Sequence, residues 1–291
     1  KVVGITPAMA SGCGMNTLAK EMPDRFYDVG IEEEHAVTFS AGLAAGGLKP
    51  FCNIYSSFSQ RAYDQIIHDV ALQSLPVVLC LDRGGLVGED GATHHGCYDM
   101  AVYRTIPGAV IAVPKDEIEL KDMMYSAMKA QTGPYIIRYP RGNGEGVDWK
   151  GHAYAQMETG RGELLLEGSD LAVICAGPFA NRAVEAAMRI RDDKGWNPSV
   201  YNIRYIKPLD TELLEEASAS HSKFVTVEDG SVLGGLHAAV AEFLSAGRDP
   251  KVVHAVGIPD EYISQGTQEE LRHECCLTTD ALYSLFYEEY E

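Results

Sequence analysis

Short β-branched runs alternate with helical stretches along almost the whole chain, and such alternation specifies βαβ units wound about a parallel sheet. The early runs are VVGIT, FYDVG, KPFCNIYSSF, PVVLCLD, AVIAVP and YIIRYP. Helical patterns fall between them, over about Glu32–Ala45, around YDQIIHDVALQ, and over about Asp116–Ala130. This first series closes near Arg141, after which residues 142–168 are glycine-rich, lack sustained periodicity and end in a short strand. A second series follows: DLAVICAG, a helix over Ala180–Asp192, then SVYNIRYIKP, DTELLEEASA, KFVTVED, GGLHAAVAEFLSAG, KVVHAVGIP and a helical tail from Thr267. The expectation is an α/β protein of two α/β domains, a parallel-sheet domain over 1–145 and a smaller one over 169–291, joined by a linker over 146–168. No internal repeat or low-complexity tract is present.

The 291 residues suffice for two domains that each bury a core. With 24 Lys plus Arg against 42 Asp plus Glu, the formal net charge is −18. A surface so acidic repels phosphate backbones and anionic lipid, so neither nucleic acid nor a membrane is an expected partner. No apolar run approaches the roughly 18 residues of a membrane helix. A small anionic substrate would need a local cluster of arginines. Seven cysteines, scattered and without C-x-x-C spacing, read as reduced thiols of a cytoplasmic protein, with a disulfide or zinc framework as the alternative. The chain starts at Lys1, without methionine or signal peptide, so a fragment is expected.

In an open α/β sheet, ligands sit beyond the carboxyl ends of the strands, which directs attention to three loops. The first holds Glu32, Glu33 and Glu34. On a helix these fan out by about 100° per residue, and Glu33 falls in line with Val37, Ser40, Ala41 and Ala44, a strip of small residues. Helix-dipole stabilisation alone accounts for acids in a first turn, so periodicity picks no winner. The second loop, SQRAYDQIIHD, follows Tyr55 and Phe58; Phe58 on its own is as well explained as core. The third, RGGLVGEDGATHHGCYD, is long enough to be functional. His94, His95 and Asp99 are a conceivable ligand set, but their spacing matches no zinc or iron pattern, and no metal site is assigned. Asp90-Gly91 mimics half of a diphosphate-binding GDG motif whose distal asparagine is absent. Arg61, Arg83 and Arg141 each follow a strand, and convergent guanidinium groups would make an anion site with bidentate geometry for phosphate.

The blocks ITPAM, RFYDVGIEEEHAVTFSAGLAAGGLKP, IYSSFSQRAYDQIIHDVALQSLPV, DRGGLVGEDGATHHGCYD, RYPRG, YIKPLD, VEDG and IPDEYISQGTQEELR, in this order, resemble 1-deoxy-D-xylulose-5-phosphate synthase. That family is one of the thiamine-diphosphate enzymes related to transketolase. The resemblance runs from Ile5 to about the Thr267 helix. It implies a pyrimidine-binding domain followed by a transketolase C-terminal-like domain, a homodimer, and pyruvate and glyceraldehyde 3-phosphate as substrates. Glu33 matches the catalytic glutamate that hydrogen-bonds the aminopyrimidine, and Phe58 the aromatic residue stacked on it. His94 and Asp90 match the family's catalytic loop residues, Tyr55 and Arg61 match residues that line its substrate cleft, and Arg83 and Arg141 match the pair that grips the acceptor's phosphate. The family's amino-terminal domain, which holds Mg²⁺ and the cofactor diphosphate, has no counterpart in these residues, so half a cofactor site is implied and no synthase activity is expected without that domain in the same or a separate chain. The rival enzymatic readings are the β-type subunit of a 2-oxoacid dehydrogenase E1 and the carboxyl-terminal subunit of a split transketolase. A non-catalytic paralogue is the third.

Overall fold

The computed structural model describes residues 1–247 and 249–290. The first half runs β1 (Val2–Thr6), α1 (Asn16–Glu21), β2 (Phe26–Asp28), α2 (Glu33–Ala45), β3 (Lys49–Tyr55), α3 (Ser56–Ser59), α4 (Tyr63–Gln65), β4 (Val78–Gly84), α5 (Asp99–Arg104), β5 (Val110–Ala112), α6 (Glu117–Lys129) and β6 (Tyr135–Pro140). The second half runs β7 (Glu163–Leu166), β8 (Ala172–Cys175), α7 (Phe179–Lys194), β9 (Ser199–Asn202), β10 (Tyr205–Lys207), α8 (Thr211–Ser220), β11 (Phe224–Ser231), α9 (Leu236–Ser245), β12 (Val253–Ile258), α10 (Gln268–Glu274) and α11 (Thr279–Tyr290). No helix among the described residues is long and apolar enough to cross a membrane.

Two sheets result, with strand orders β10-β5-β6-β4-β3-β1-β2 and β12-β11-β8-β9-β7. Each is parallel except for one antiparallel edge strand, β10 on β5 and β7 on β9. All of β11 is buried, as is β4 apart from Arg83, because helices cover both sheet faces. The alternation expected from the sequence is therefore the observed α/β architecture.

One stretch behaves differently from its expected single strand. SVYNIRYIKP divides at Ile203–Arg204: β9 lies in the second sheet, while β10 crosses to the first. Arg204 makes the turn with a positive φ of 57°, and its carbonyl accepts from Val113 N–H at 2.8 Å. Lys207 Nζ then donates to the carbonyls of Arg104 and Ile106 at 2.9 and 2.7 Å. Apolar patterning satisfies either sheet, so pairing across 90 residues of sequence could not be read locally.

A buried ion cluster secures the same crossover. Glu119 of α6 accepts from Arg204 Nε at 2.7 Å, Lys115 Nζ at 3.0 Å and Asn202 Nδ2 at 3.1 Å. The glycine-rich connection is stapled along α6: Met157 N–H donates to Ser126 Oγ at 2.8 Å and His152 lies 2.9 Å from Asp122. The helix expected around YDQIIHDVALQ is α4 continued as a π-helical turn over Ile66–Ala71.

Candidate active site

The three glutamates separate by burial. Glu32 is the exposed N-cap of α2 and Glu34 is half-buried, whereas Glu33 is 2 % exposed. The buried face of α2 is Glu33, Ala36, Val37, Ser40, Ala41 and Ala44, so the strip of small residues brings the helix, and with it the Glu33 carboxylate, close against the sheet. Arg61, just beyond α3, donates Nη1 to Glu33 Oε1 at 2.7 Å.

Phe58 on α3 is the hub of the next contacts. Its ring stacks on Tyr55 at 5.7 Å, receives the edge of His94 at 5.0 Å, and lies 5.0 Å beneath the Arg61 guanidinium. Thr93 Oγ1 is 2.8 Å from His94 Nδ1, which leaves Nε2 without a partner among the described residues. Arg83 sits over Tyr55 at 3.7 Å and donates to Gly12 O at 3.1 Å and Asp82 Oδ1 at 2.8 Å. Burial pushes the Tyr55 hydroxyl and the Asp82 carboxyl above their ordinary ranges, with the Arg83 charge opposing both.

The long loop is closed at its neck, where Gly85 and Gly96 exchange backbone hydrogen bonds at 2.8 Å. Gly85 has a φ of +76°, and a Cβ there would stand 1.9 Å from the Asp229 carboxylate, so only glycine fits. Inside the loop, Val87 N–H donates to His95 Nδ1 at 3.1 Å. That acceptor role places the ring proton on Nε2, 3.2 Å from Ser264 O, and makes His95 a strut between the two halves. Asp99 is equally engaged, accepting from Arg138 Nε at 2.9 Å and Ser56 Oγ at 2.7 Å. His94, His95 and Asp99 thus serve three different sets of partners.

Glu33, Arg61, Phe58, His94, Tyr55 and Arg83 form one continuous run of contacts. Asp90 and Arg141, 4.0 Å from each other, make no hydrogen bond or ring contact with that run among the described residues but act electrostatically on Tyr55; Arg141 donates to Val87 O at 2.6 Å and Glu89 at 2.8 Å. The three arginines share no common partner by hydrogen bond or ion pair among the described residues. Each meets its own carboxylate: Glu33, Asp82 and Glu89. Residues that sequence inspection passed over include Asp82, Asp229, Gln268, whose Nε2 bonds Leu86 O and Arg141 O at 3.0 Å, and Arg138. Arg138 carried a signal, since a charge inside the apolar run YIIRYP requires a buried counter-charge.

At the carboxyl end of the parallel sheet, the face of Phe58 thus carries the Arg61 guanidinium, which in turn holds the buried Glu33 carboxylate, and receives the edge of the His94 imidazole. The sequence matches the family description "transketolase, pyrimidine binding domain" over residues 1–146 and "transketolase, C-terminal domain" over residues 160–282. The chain belongs to the transketolase family. It is 52 % identical over 282 residues to the 1-deoxy-D-xylulose-5-phosphate synthase of Bacteroides thetaiotaomicron, a match covering 97 % of this chain and 43 % of the relative. The synthase of Dictyoglomus turgidum is 47 % identical, over 94 % of this chain and 44 % of its own length. The chain thus spans less than half the length of these curated relatives. Among solved structures, a chain described as a split gene transketolase, inactive beta4 tetramer, superposes with a TM-score of 0.86 at 28 % identity, covering all of this chain and 92 % of that one.

Proposed function

We propose that this chain supplies the pyrimidine-binding and carboxyl-terminal domains of a 1-deoxy-D-xylulose-5-phosphate synthase, which joins a two-carbon unit from pyruvate to glyceraldehyde 3-phosphate with loss of carbon dioxide. The observation that carries this reading is Glu33, a carboxylate 2 % exposed on the small-residue face of α2, joined through the Arg61 guanidinium to the half-exposed ring of Phe58. That pairing fits an aminopyrimidine, which needs an aromatic plane beneath it and an acceptor for a ring N–H. Thiamine diphosphate, when bound, supplies an electron sink at its thiazolium carbon. Glu33 then holds a proton at the pyrimidine nitrogen, and Phe58 fixes the ring plane. His94, whose Nε2 has no hydrogen-bond partner among the described residues, passes a proton at the substrate oxygen; Asp90 shares its loop. Tyr55 and Arg61 line the substrate cleft, and Arg83 and Arg141 meet the acceptor's phosphate once they leave their carboxylates.

Mg²⁺ and the cofactor diphosphate belong, in this reading, to an amino-terminal domain in the same or a separate chain, within a cytoplasmic homodimer. Mixing the chain with the amino-terminal domain of the Bacteroides thetaiotaomicron relative should restore condensation of pyruvate with glyceraldehyde 3-phosphate, and the chain alone should give none. Glu33→Gln should lower the restored rate by roughly 10²–10⁴-fold, the usual worth of a positioned proton-transfer group. Unchanged turnover would remove Glu33 from the mechanism. The second reading, a split-transketolase subunit, is favoured by the structural match over the whole chain; a ketose phosphate accepted as donor in place of pyruvate would decide for it.

A further inference from the structure

We infer that a cleft where the two halves of the chain meet is an anion site for a phosphoryl group, built on Arg182 and Arg272 with Arg141 at its rim. The site shares Arg141 with the proposed acceptor site and is otherwise separate from it: among the described residues, no hydrogen bond, ion pair or ring contact is formed by the side chain of Arg182 or Arg272 with Glu33, Phe58 or His94. Arg182 lies in the first turn of α7 and Arg272 on α10, so the second half contributes both.

Other arginines at the candidate active site have a carboxylate partner, but these two do not. Neither side chain has a hydrogen bond or a carboxylate within ion-pair distance among the described residues; that of Arg182 has the Phe179 ring, 5.8 Å away. Burial first, and then the Arg182 charge, hold the Arg272 guanidinium below its ordinary pKa. Asp229, Glu269 and Glu145 act in the opposite sense without closing an ion pair. In a chain of net charge −18, two neighbouring guanidinium groups left uncompensated indicate a site whose counter-charge arrives from solution.

The walls agree with that charge. The 16-residue helix α7 opens onto the cleft at Pro178 and Phe179, with no acidic residue in its first turn and no side-chain cap, so its positive end is uncompensated. Of the acids in the wall, Asp116 Oδ1 caps α6 through Glu119 N–H at 2.8 Å, and Glu117 accepts from Gly146 N–H through Oε1 at 2.8 Å while its buried Oε2 has no hydrogen-bond partner. Glu145, which also lines the cleft and acts on Arg272 by its charge, is the acid an incoming anion would displace. The cleft holds about 200 Å³. Pockets for drug-sized ligands run to roughly 300–1,000 Å³, so a phosphate or a small phosphate monoester fits and a nucleotide does not.

The test is calorimetric titration of the 291-residue chain with inorganic phosphate and with glycerol 3-phosphate, against glycerol, at fixed chloride. Saturable binding of the phosphorylated probes is expected, weakened on the order of tenfold to a hundredfold by Arg182→Gln and by Arg272→Gln separately, and only partly by Arg272→Lys. Equal affinity for the two probes would assign free phosphate, and tighter binding of glycerol 3-phosphate a phosphate ester. No saturable binding overturns the site. So does binding that survives both glutamine variants, each confirmed folded by circular dichroism, but is lost in Arg83→Gln, since it would then belong to the pocket beside Tyr55.

Discussion

Replacing Arg138 by methionine should destabilise the protein more than any change at the exposed end of the candidate site. Arg138 is 3 % exposed, donates Nε to both Asp99 oxygens at 3.1 and 2.9 Å, and reaches the carbonyls of Gly96 and Asp229 with Nη2. It therefore ties β6, the neck of the long loop and β11 together. Methionine keeps the bulk but strands the Asp99 carboxylate and removes the cation nearest Asp229. Breaking a buried pair on one side costs about 3–5 kcal/mol, so about 4 kcal/mol is expected. In a chain of this size that corresponds to a fall in Tm of roughly 8 °C. The loss should deepen with pH. The Asp229 carboxyl is already raised by burial and held down chiefly by the Arg138 charge. Without that charge the folded state binds a proton that the unfolded state releases, and stability then declines as pH rises. Urea unfolding at pH 5 and pH 8 reads both effects, and a cycle with Asp99→Asn isolates the pair: the double variant should lose less than the sum of the singles. A loss below about 1 kcal/mol, or strict additivity, would refute the reasoning.

Glu228 offers a second pH-dependent measurement. It is 1 % exposed, accepts from Leu236 and His237 N–H at 2.8 Å, and burial lifts its pKa from 4.5 to about 7. The folded state thus holds a proton between about pH 4.5 and 7 that the unfolded state lacks, so this residue's contribution falls as pH rises through that window. Relative to Glu228→Gln, the natural protein should lose on the order of 3 kcal/mol across it, and parallel stability curves would count against the assignment. Among the seven cysteines only Cys276 is exposed, and burial pushes Cys13, Cys52 and Cys275 up to about 12. A thiol reagent at pH 8 should therefore label one cysteine promptly and the rest only on unfolding; two prompt thiols would show a looser structure.

Local patterns carried the α/β architecture and the face of α2 that buries Glu33, because both depend on periodicities a few residues long. The pairing of Arg61 with Glu33 was not legible, since it joins residues brought together only by the β3–α3 turn against α2. His95 looked like a ligand and is a strut, because its partners, Val87 N–H and Ser264 O, become visible only once the loop is closed and the second half docks on it. The phosphate-binding prospect of Arg61, Arg83 and Arg141 was inferred from a shared position at strand ends. Shared position did not disclose that each guanidinium already has a carboxylate of its own. Arg182 and Arg272 belong to no motif, and only the meeting of α7 and α10 at one cleft marks them.

The crossover strand β10 has a consequence for how this molecule can be divided. The outermost strand of the first sheet is lent by the second half of the chain, so the boundary in sequence and the boundary in space do not coincide. A piece ending in the connection after β6 would leave β5 with bare backbone donors and acceptors, an edge that invites pairing with another chain. The complementary piece would carry Tyr205, fully buried in the intact protein, as an exposed aromatic. Cutting the connection without removing either piece leaves β10 in its place, and the severed halves remain a single particle held by a borrowed strand.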